Sequence, residues 1–430
     1  MQVVILAGGL GTRISSISSD VPKPMIEICG KPVLERQIVC LREQGLTNIT
    51  LLIGHLGSVV RDYFGDGTRF GVSVKYIEEK EPMGTAGALY FLKGSLFDSF
   101  LLLNGDLAFD IDFSRMLHRH RETGALATIL THPNDHPFDS ALIFADSNGR
   151  VLRWMHKEEA RSDYRNKVNA GIHILEPSVL DVITKPVKAD LDRDLLKPLL
   201  KQGGLFAYDS PEYVKDMGTP QRLRTVCDDF SSGLVHAKNL SKPQRAVFLD
   251  RDGTINKYKD FITHPDQIEL LPGAAEAVRK INRSGRLAII ITNQPVIARG
   301  ECTFTELEAI HFRLERLLGE QGAYVDDIFV CPHHPDKGFP GERSEFKLNC
   351  DCRKPKPGLF FKARDRYNIN LSDSWMIGDS QSDMEAGKSA GCRTALVGAG
   401  HGSVGSLLNA VNMIEEEEYS CGSNIENFGY

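Results

Sequence analysis

The sequence lacks several features that would place the chain in a specialised class of protein. No run approaches the roughly 18 consecutive apolar residues of a membrane span. The opening residues, MQVVILAGGLGTR, lack the basic segment and the following small-residue cleavage site of a signal peptide. The 51 basic residues do not outnumber the 57 acidic ones, and the net charge of −6 provides no basic surface for nucleic acid. We therefore expect neither a membrane nor a nucleic acid as a partner.

The cysteine content argues against a disulfide framework. The nine cysteines are odd in number and irregularly spaced, and several of them lie in one stretch with histidine. Disulfide-rich secreted domains show even numbers at regular spacings instead. We expect a cytoplasmic protein with reduced thiols and one metal site; the sequence leaves open whether it forms a homo-oligomer.

The 430 residues, of which 41% are apolar and 25% charged, are sufficient for two or three globular domains. Short apolar runs alternate with amphipathic stretches in both halves of the chain. Such alternation predicts mostly parallel sheets with helices on both faces, so we predict an α/β protein with two Rossmann-like domains. The predicted boundaries are 1–235 for the first domain, 236–244 for a linker, 245–405 for the second domain and 406–430 for a C-terminal tail.

The first chemical motif is the glycine-rich stretch LAGGLGTRI, which follows the first predicted strand. Gly8, Gly9 and Gly11 allow backbone N–H groups to approach a phosphate closely. Arg13, which follows Thr12, can neutralise charge at a phosphoryl group. A strand-to-helix turn without a ligand has the same local pattern, so this stretch alone leaves both interpretations open.

Companion motifs favour the phosphate interpretation. VPKPM holds Lys23 between two prolines, and EPMGTAGAL (81–89) is a second glycine-rich segment. LLLNGDL ends a predicted strand with Asp106, and YVKDMGTP supplies Asp216. Carboxylates at the carboxyl edge of a sheet are suited to hold Mg²⁺.

The ordered set GGxGTR, PKP, GTAGAL, NGD, NAG and KDxGTP, over about residues 1–225, resembles the sugar nucleotidyltransferases. These enzymes join a sugar 1-phosphate to a nucleoside triphosphate on a Rossmann-like domain of the GT-A type. The resemblance implies that Asp106 and Asp216 bind Mg²⁺ and that Arg13 and Lys23 act catalytically by neutralising charge. It implies that the phosphate, sugar or base contacts come from Gly8, Gly9, Gly11, Thr12, Thr85, Gly87, Lys157, Asn169 and Gly171. In WMHK, His156 stands where the family often has Glu, which leaves the sugar contacts open.

The second motif, FLDRDGTIN, places Asp250 at the end of an apolar run and Asp252 two residues later. Alternation along an extended chain sends both carboxylates to one side. One carboxylate can then be a nucleophile while the other transfers protons. Further polar groups follow along the chain: one apolar run ends at Thr292 and Asn293, CRKPKPG supplies Arg353 and Lys354, and another apolar run ends at Asp379, with Asp383 four residues on.

The order DxDGT, TN, Lys and GDxxxD resembles the haloacid-dehalogenase-like (HAD-like) phosphatases over about residues 245–400. The resemblance implies that Asp250 attacks phosphorus and that Asp252 protonates the leaving alcohol and then activates water. It implies that Lys354 neutralises the nucleophile and the phosphate, which Thr292, Asn293 and Arg353 also contact. Mg²⁺ would be held by Asp250, Asp252 (through its carbonyl) and Asp379, with support from Asp383.

A third cluster lies within CPHHPDKGFPGERSEFKLNCDC. Cys331 and His333 form one close pair, and Cys350 and Cys352 form another. Two such pairs are typical of a closed structural Zn²⁺ site, in which the adjacent His334 could replace His333. This loop, followed by CRKPKPG, resembles the D-glycero-D-manno-heptose 1,7-bisphosphate phosphatases, although Pro295 and Val296 stand where that branch usually has Ser-Gly.

Together, the two resemblances imply consecutive reactions on one sugar. Removal of the 7-phosphate from a heptose 1,7-bisphosphate leaves a heptose 1-phosphate, which a nucleotidyltransferase can convert to a nucleotide-sugar for cell-surface carbohydrate such as lipopolysaccharide or S-layer glycan. The resemblance favours GTP, since no HxGH adenylyltransferase motif is present. Two alternatives stay open: the same activities on mannose or another hexose phosphate with a different nucleotide, or one degenerate, regulatory half.

Overall fold

The computed structural model describes residues 1–8, 21–338 and 340–422. The chain divides into two compact units. The N-terminal unit comprises residues 1–132, 140–157 and 167–239; the C-terminal unit comprises 133–139, 158–166 and 240–430. Within the described ranges, no helix has both the length and the apolar character required to cross a membrane.

The N-terminal unit alternates strands and helices, as its sequence predicts. Its strands are β1 (Val3–Leu6), β2 (Glu27–Ile28), β3 (Lys31–Pro32), β4 (Asn48–Ile53), β5 (Ser73–Glu78), β6 (Phe100–Asn104), β7 (Leu107–Asp110), β8 (Ala127–His132), β9 (Leu142–Ala145), β10 (Val151–Met155), β11 (Val168–Leu175), β12 (Leu205–Asp209) and β13 (Tyr213–Asp216). Its α-helices are α1 (Val33–Glu43), α2 (Gly57–Phe64), α3 (Phe113–Thr123), α4 (Lys197–Gln202), α5 (Pro220–Ser231) and α6 (Leu234–Ala237).

The main sheet of this unit is mixed, whereas the sequence indicated a mostly parallel one. Among the described strands its order is β10-β9-β11-β6-β1-β4-β5, with β8 beside β11 and β12 beside β8. β1 runs parallel to β4 and β6, but β11 runs antiparallel to β6, β8 and β9. The physical reason lies in the connections: β9 and β10 are joined by a short turn, which permits only antiparallel pairing.

Alternating side chains bury both faces of this sheet. Val3 and Ile5 of β1 belong to one apolar cluster, and Val4 between them belongs to another. Leu101 and Leu102 of β6 divide between the same two clusters. A strand that is buried on both faces is continuously apolar, which explains the runs VVIL and LLL.

A loop at residues 83–87 packs against residues 187–191 of the same unit. The amide of Ala86 donates to the carbonyl of Ala189 (3.0 Å), and the amide of Leu191 donates to the hydroxyl of Thr85 (2.7 Å). Gly84 has φ +75°, and a β-carbon at that position would lie 2.4 Å from the carbonyl oxygen of Ala189. Only glycine therefore fits this backbone approach.

The C-terminal unit is built on a parallel sheet. Its strands are β14 (Ala246–Leu249), β15 (Leu287–Asn293), β16 (Asp327–Cys331), β17 (Trp375–Gly378) and β18 (Arg393–Leu396). Its α-helices are α7 (Ala274–Arg283), α8 (Phe304–Gly319), α9 (Gly358–Tyr367), α10 (Gln381–Ala390) and α11 (Leu407–Gly422). The sheet order among the described strands is β16-β15-β14-β17-β18, and each neighbouring pair is parallel.

Parallel order explains why the polar motifs of this unit meet. Asp250 follows β14, Asn293 ends β15 and Asp379 follows β17, so all three lie at the carboxyl edge of three adjacent strands. Both faces of the sheet are buried, with Val247 and Phe248 of β14 in different apolar clusters. Helix α11 contributes Leu407, Ala410, Val411 and Ile414 to the first of these clusters.

We expect Gly84→Ala to destabilise the N-terminal unit more than Gly124→Ala. Both glycines have positive φ (+75° and +60°), but nothing lies within 4 Å of a β-carbon added at Gly124. Gly124→Ala should cost about 1 kcal/mol through backbone strain alone. Gly84→Ala must also displace residues 187–191, so its urea midpoint should be lower at an unchanged m-value. Equal midpoints for the two variants would contradict this account of the loop.

Candidate active sites

Two candidate Mg²⁺ ligands of the N-terminal unit lie close together in the sheet register. β13 pairs antiparallel with β7, and Asp216 lies directly opposite Leu107, the residue after Asp106. Lys23 Nζ is 3.3 Å from Asp106 Oδ2. Arg222 on α5 donates to both oxygens of Asp216 (3.0 and 2.9 Å), a contact that the sequence motifs did not predict. Each carboxylate thus has a cationic partner.

Asn169 lies at a register irregularity of β11. Its Oδ1 accepts a hydrogen bond from the amide of Gly171 (3.1 Å), and its Nδ2 donates to Asp192 Oδ1 (3.3 Å). Gly171 has φ +74°, and a β-carbon there would lie 2.4 Å from Asn104 Nδ2. The stretch Asn169–Gly171 therefore lies beside the end of β6, two residues before Asp106 in the chain.

Asp192 is a polar group of this region that sequence reasoning missed. Burial, together with the nearby charge of Asp190, raises the pKa of its carboxyl to about 6. The stretch ADLDRDLL contains three aspartates at alternate positions. No local pattern distinguishes the one that contacts Asn169, because that contact joins residues far apart in the chain.

The remaining predicted residues of the N-terminal site fall into three groups. Thr85 and Gly87 lie in the loop at 83–87, where their contacts are with residues 187–191. Lys157 is exposed, and the ring of His156 lies 6.4 Å from that of Trp154. Gly8 lies close to Glu79 and Gly54, whereas the other members of the glycine-rich motif fall outside the described residues: Gly9, Gly11, Thr12 and Arg13.

The C-terminal site centres on the ammonium of Lys354. This buried group lies 2.6 Å from Asp250 Oδ1 and 2.5 Å from Asp383 Oδ1, and it donates to the carbonyl of Ile291 (2.9 Å). Asp383 also accepts from the amide and hydroxyl of Ser380 at the start of α10. The ammonium therefore neutralises two buried carboxylates at once.

Three carboxylates of this site could share a metal ion. One oxygen each of Asp250, Asp379 and Asp383 lies within 4.8 Å of the others. Burial, together with the charges of Asp383 and Asp252, raises the pKa of Asp250 to about 7, although Lys354 opposes this shift. Gly253 has φ +80°, and a β-carbon there would lie 1.9 Å from Asp379 Oδ2, so only glycine fits at this edge.

The predicted phosphate contacts surround the same lysine. The side chain of Asn293 accepts from the amide of Lys354 and donates to its carbonyl, both at 3.1 Å. The hydroxyl of Thr292 accepts from Gln294 Nε2 (2.9 Å). Arg353 donates to the carbonyl of His333 (3.2 Å). These contacts bring β15 and residues 350–354 together at one edge of the sheet.

Asp252 is surrounded by donors that the motif comparison did not identify. Arg251 donates to both carboxylate oxygens (2.8 and 3.0 Å), Asn256 donates to Oδ1 (2.9 Å) and Gln294 donates to Oδ2 (2.9 Å). Burial acts to raise the pKa of Asp252, but these donors outweigh it and the pKa lies below its ordinary value. In the sequence, Arg251 within DRD is the neighbour of Asp252 that could have indicated these hydrogen bonds.

The predicted thiol and imidazole ligands come together in the structure. The ligand atoms of Cys331, His333, Cys350 and Cys352 lie within 4.8 Å of one another, and the thiol–thiol distances are 3.2 to 3.6 Å. Four sulfur and nitrogen donors about 2.3 Å from Zn²⁺ would lie about 3.8 Å or less apart, so the group could bind such a metal. His334, which the sequence left as an alternative, instead accepts a hydrogen bond from the amide of Asp336 through Nδ1 (3.2 Å).

Comparison with known proteins assigns both halves to families. The model of the family described as nucleotidyl transferase matches residues 2–232, more than half of the chain, and a HAD-hydrolase-like model matches residues 351–416. These matches confirm the two resemblances drawn from the motifs.

Curated relatives match each half separately. A UTP–glucose-1-phosphate uridylyltransferase of Synechocystis sp. is 36% identical over 217 residues, which cover 47% of this chain and 56% of that protein. A mannose-1-phosphate guanyltransferase beta-B of Xenopus laevis is 30% identical over 231 residues, covering 52% of this chain and 63% of that protein. A D-glycero-beta-D-manno-heptose-1,7-bisphosphate 7-phosphatase of Escherichia coli is 37% identical over 158 residues, covering 37% of this chain and 81% of that protein.

The chain spans less than two thirds of the two nucleotidyltransferases but most of the phosphatase. It belongs to the nucleotidyl transferase family, and its C-terminal, HAD-like half belongs to the family of the D-glycero-β-D-manno-heptose-1,7-bisphosphate 7-phosphatases.

Proposed function

We propose that the chain is a bifunctional enzyme of heptose activation. Its C-terminal half removes the 7-phosphate of D-glycero-D-manno-heptose 1,7-bisphosphate, and its N-terminal half transfers GMP from GTP to the resulting heptose 1-phosphate. One observation carries this proposal: a phosphatase related to enzymes that leave a sugar 1-phosphate is joined to a member of a family that includes sugar-1-phosphate nucleotidyltransferases. The product of one half is then a substrate of the other. We assign these activities to residues 245–405 and 1–235, joined by a linker at 236–244, and we place the enzyme in the cytoplasm.

In the phosphatase reaction, an oxygen of Asp250 attacks phosphorus and the bond to the sugar oxygen breaks. Asp252 gives its proton to that oxygen and then takes one from water, whose oxygen displaces phosphate from Asp250. The 2.6 Å contact with Lys354 supports this assignment, because the ammonium can neutralise both the nucleophile and the phosphoryl group. Thr292, Asn293 and Arg353 contribute phosphate contacts.

The carboxylates of the C-terminal unit fit a hard cation. Mg²⁺ prefers oxygen ligands. One carboxylate oxygen each of Asp250, Asp379 and Asp383 lies within 4.8 Å of the others, so the three could bind a single ion. We assign the ion to Asp250, Asp379 and the backbone carbonyl of Asp252, with Asp383 supporting it. Mg²⁺ would supply charge neutralisation at the phosphoryl group.

In the nucleotidyl transfer, an oxygen of the sugar 1-phosphate attacks the α-phosphorus of the triphosphate and pyrophosphate leaves. Arg13 and Lys23 neutralise the charge, and Asp106 and Asp216 hold Mg²⁺. The pairing of β7 with β13, which places Asp216 opposite the residue that follows Asp106, supports the last assignment. The phosphate, sugar and base contacts are assigned to Gly8, Gly9, Gly11, Thr12, Thr85, Gly87, Lys157, Asn169 and Gly171.

The proposal also specifies the base of the nucleotide and the anomer of the heptose phosphate. The two nucleotidyltransferase relatives are named for different nucleotides, and the phosphatase relative is named for the β-anomer. We favour GTP because no HxGH motif occurs in the sequence, and we favour the α-anomer, which family resemblance associates with guanylyl transfer. His156 and Pro295 are the residues at which another sugar would be accommodated.

We expect Asp250→Asn to abolish phosphate release and to spare nucleotide transfer, and Arg13→Ala to do the opposite. Each variant removes a group that only one of the two reactions requires. The assay supplies Mg²⁺, each anomer of the heptose 1,7-bisphosphate and each of the four nucleoside triphosphates in turn; heptose 1-phosphate is supplied directly to test transfer alone. Phosphate, pyrophosphate and nucleotide-sugar are measured separately.

Formation of GDP-heptose with GTP alone would support both the sugar and the base. Phosphate release without any nucleotide-sugar, even from heptose 1-phosphate, would overturn the N-terminal assignment, and hexose 1-phosphates would then be tested. Absence of phosphate release from either anomer would overturn the heptose assignment of the C-terminal half. If neither variant loses activity, the catalytic residues are assigned wrongly.

We assign Zn²⁺ to Cys331, His333, Cys350 and Cys352, and we expect Cys352→Ser to lose this metal together with the phosphatase activity. The cluster supports the following loop, since Arg353 donates to the carbonyl of His333 and Lys354 comes next. Metal analysis should give about one zinc per chain for the wild type and much less for the variant. Nucleotide transfer should be retained.

Cys392→Ser is the matched control, because Cys392 is also a buried thiol of this unit and lies in the apolar cluster around Phe248. It should keep its zinc and its phosphatase activity. Equal zinc content in Cys352→Ser and the wild type would rule out the assigned ligand set.

A further inference from the structure

The carboxylate of Asp252 is engaged by protein donors on both oxygens. Oδ1 accepts from Arg251 Nε (3.1 Å), from the Nη2 of the same guanidinium (3.0 Å) and from Asn256 Nδ2 (2.9 Å). Oδ2 accepts from the same Nη2 (2.8 Å) and from Gln294 Nε2 (2.9 Å). Donors from three residues, distributed over both oxygens, determine the orientation of this carboxylate.

Arg251 is the central member of this group of donors, and it is fully buried. Besides its bonds to Asp252, the guanidinium contacts helix α8, where its Nη1 lies 3.3 Å from His311 Nε2. A guanidinium can only donate, so the imidazole nitrogen accepts this bond. Burial lowers the pKa of His311 to about 3, and the charge of Arg251 acts in the same direction, so the ring is neutral and able to accept.

Burying an arginine beside a neutral histidine is energetically unfavourable, so we ask what the geometry of its guanidinium provides. Burial of a guanidinium requires a paired anion and further hydrogen bonds, and apolar residues of similar volume often stabilise a core equally well. The guanidinium differs from a lysine ammonium in presenting its donors in a rigid plane that matches a carboxylate. The contacts of Arg251 use this property, because they reach both oxygens of Asp252.

We propose that Arg251 is the positioning residue of the phosphatase, which holds the Asp252 carboxyl where it exchanges its proton with the leaving oxygen and with water, and that His311 supports Arg251 from behind. This inference rests on the proposed phosphatase function. It assigns roles to Arg251, the variable position of DxDGT, and to His311, which lies outside the DxDGT, TN, Lys and GDxxxD motifs. Because Arg251 acts through Asp252, its loss should affect proton transfer and leave the attack by Asp250 largely intact.

The test compares two small substrates of similar shape, phenyl phosphate and 4-nitrophenyl phosphate. Phenoxide is a poor leaving group that needs a proton from Asp252, whereas 4-nitrophenolate leaves readily as the anion. General acid catalysis contributes about 10²- to 10⁴-fold, so Arg251→Lys should lower kcat/KM on phenyl phosphate by at least about tenfold. On 4-nitrophenyl phosphate, kcat/KM should change by less than about threefold, because it reports the steps up to departure of 4-nitrophenolate, which needs no proton, and not the later attack of water.

Arg299→Lys is the matched control for the loss of a guanidinium. Arg299 pairs with Glu301 (2.8 Å) and lies over the ring of Phe261, and its replacement should leave the ratio of the two kcat/KM values unchanged. Equal losses on both substrates in Arg251→Lys would overturn the inference, since a merely structural role lowers both rates together. If the wild type hydrolyses neither aryl phosphate nor the heptose 1,7-bisphosphate, the proposed phosphatase function fails and this inference fails with it.

His311 provides a second test that does not change Asp252 or its direct donors. His311→Leu removes the acceptor behind Arg251, while His311→Gln retains an acceptor on a side chain of comparable length. We expect His311→Leu to shift the ratio of kcat/KM values in the same direction as Arg251→Lys, and His311→Gln to restore it. Circular dichroism and thermal unfolding identify any variant that does not fold. An unchanged ratio in folded His311→Leu would remove His311 from the proposal.

Discussion

The buried ammonium of Lys354 is the interaction on which the C-terminal site depends. Without it, Asp250 and Asp383 would be two buried carboxylates with no cation between them, which is strongly unfavourable. The lysine also donates to the carbonyl of Ile291, so the ends of β14 and β15 and the start of α10 are all held around one charge. The lysine follows Cys352 closely in the chain, which makes its position depend on the thiol cluster.

The N-terminal unit follows the same electrostatic principle with different residues. Its two candidate metal ligands are each paired with a cation, Asp106 with Lys23 and Asp216 with Arg222. The chain as a whole is acidic, so phosphorylated substrates must be recognised by local groups of this kind and by bound metal, because the net charge does not attract them.

Much of the fold and of both sites was predictable because the relevant signals are local. Apolar runs that end in Asp106, Asp250, Thr292 or Asp379 identify strands and their polar carboxyl ends, and parallel strands bring such ends together. The mixed order of the N-terminal sheet was not predictable in this way, since the strands look alike whether a hairpin or a crossover joins them. Asp192 was missed for a related reason: its partner, Asn169, lies in a different element.

The motifs in the sequence were sufficient to identify two families, two sets of carboxylates and one cluster of thiols with a histidine. Only folding decided that His333 rather than His334 joins the thiols, that Arg222 pairs with Asp216, and that Gln294 and His311 complete the surroundings of Asp252 and Arg251. The physical reason is that a motif records the spacing of residues along the chain. A hydrogen bond between residues 40 or 60 positions apart depends instead on which strand and helix lie side by side.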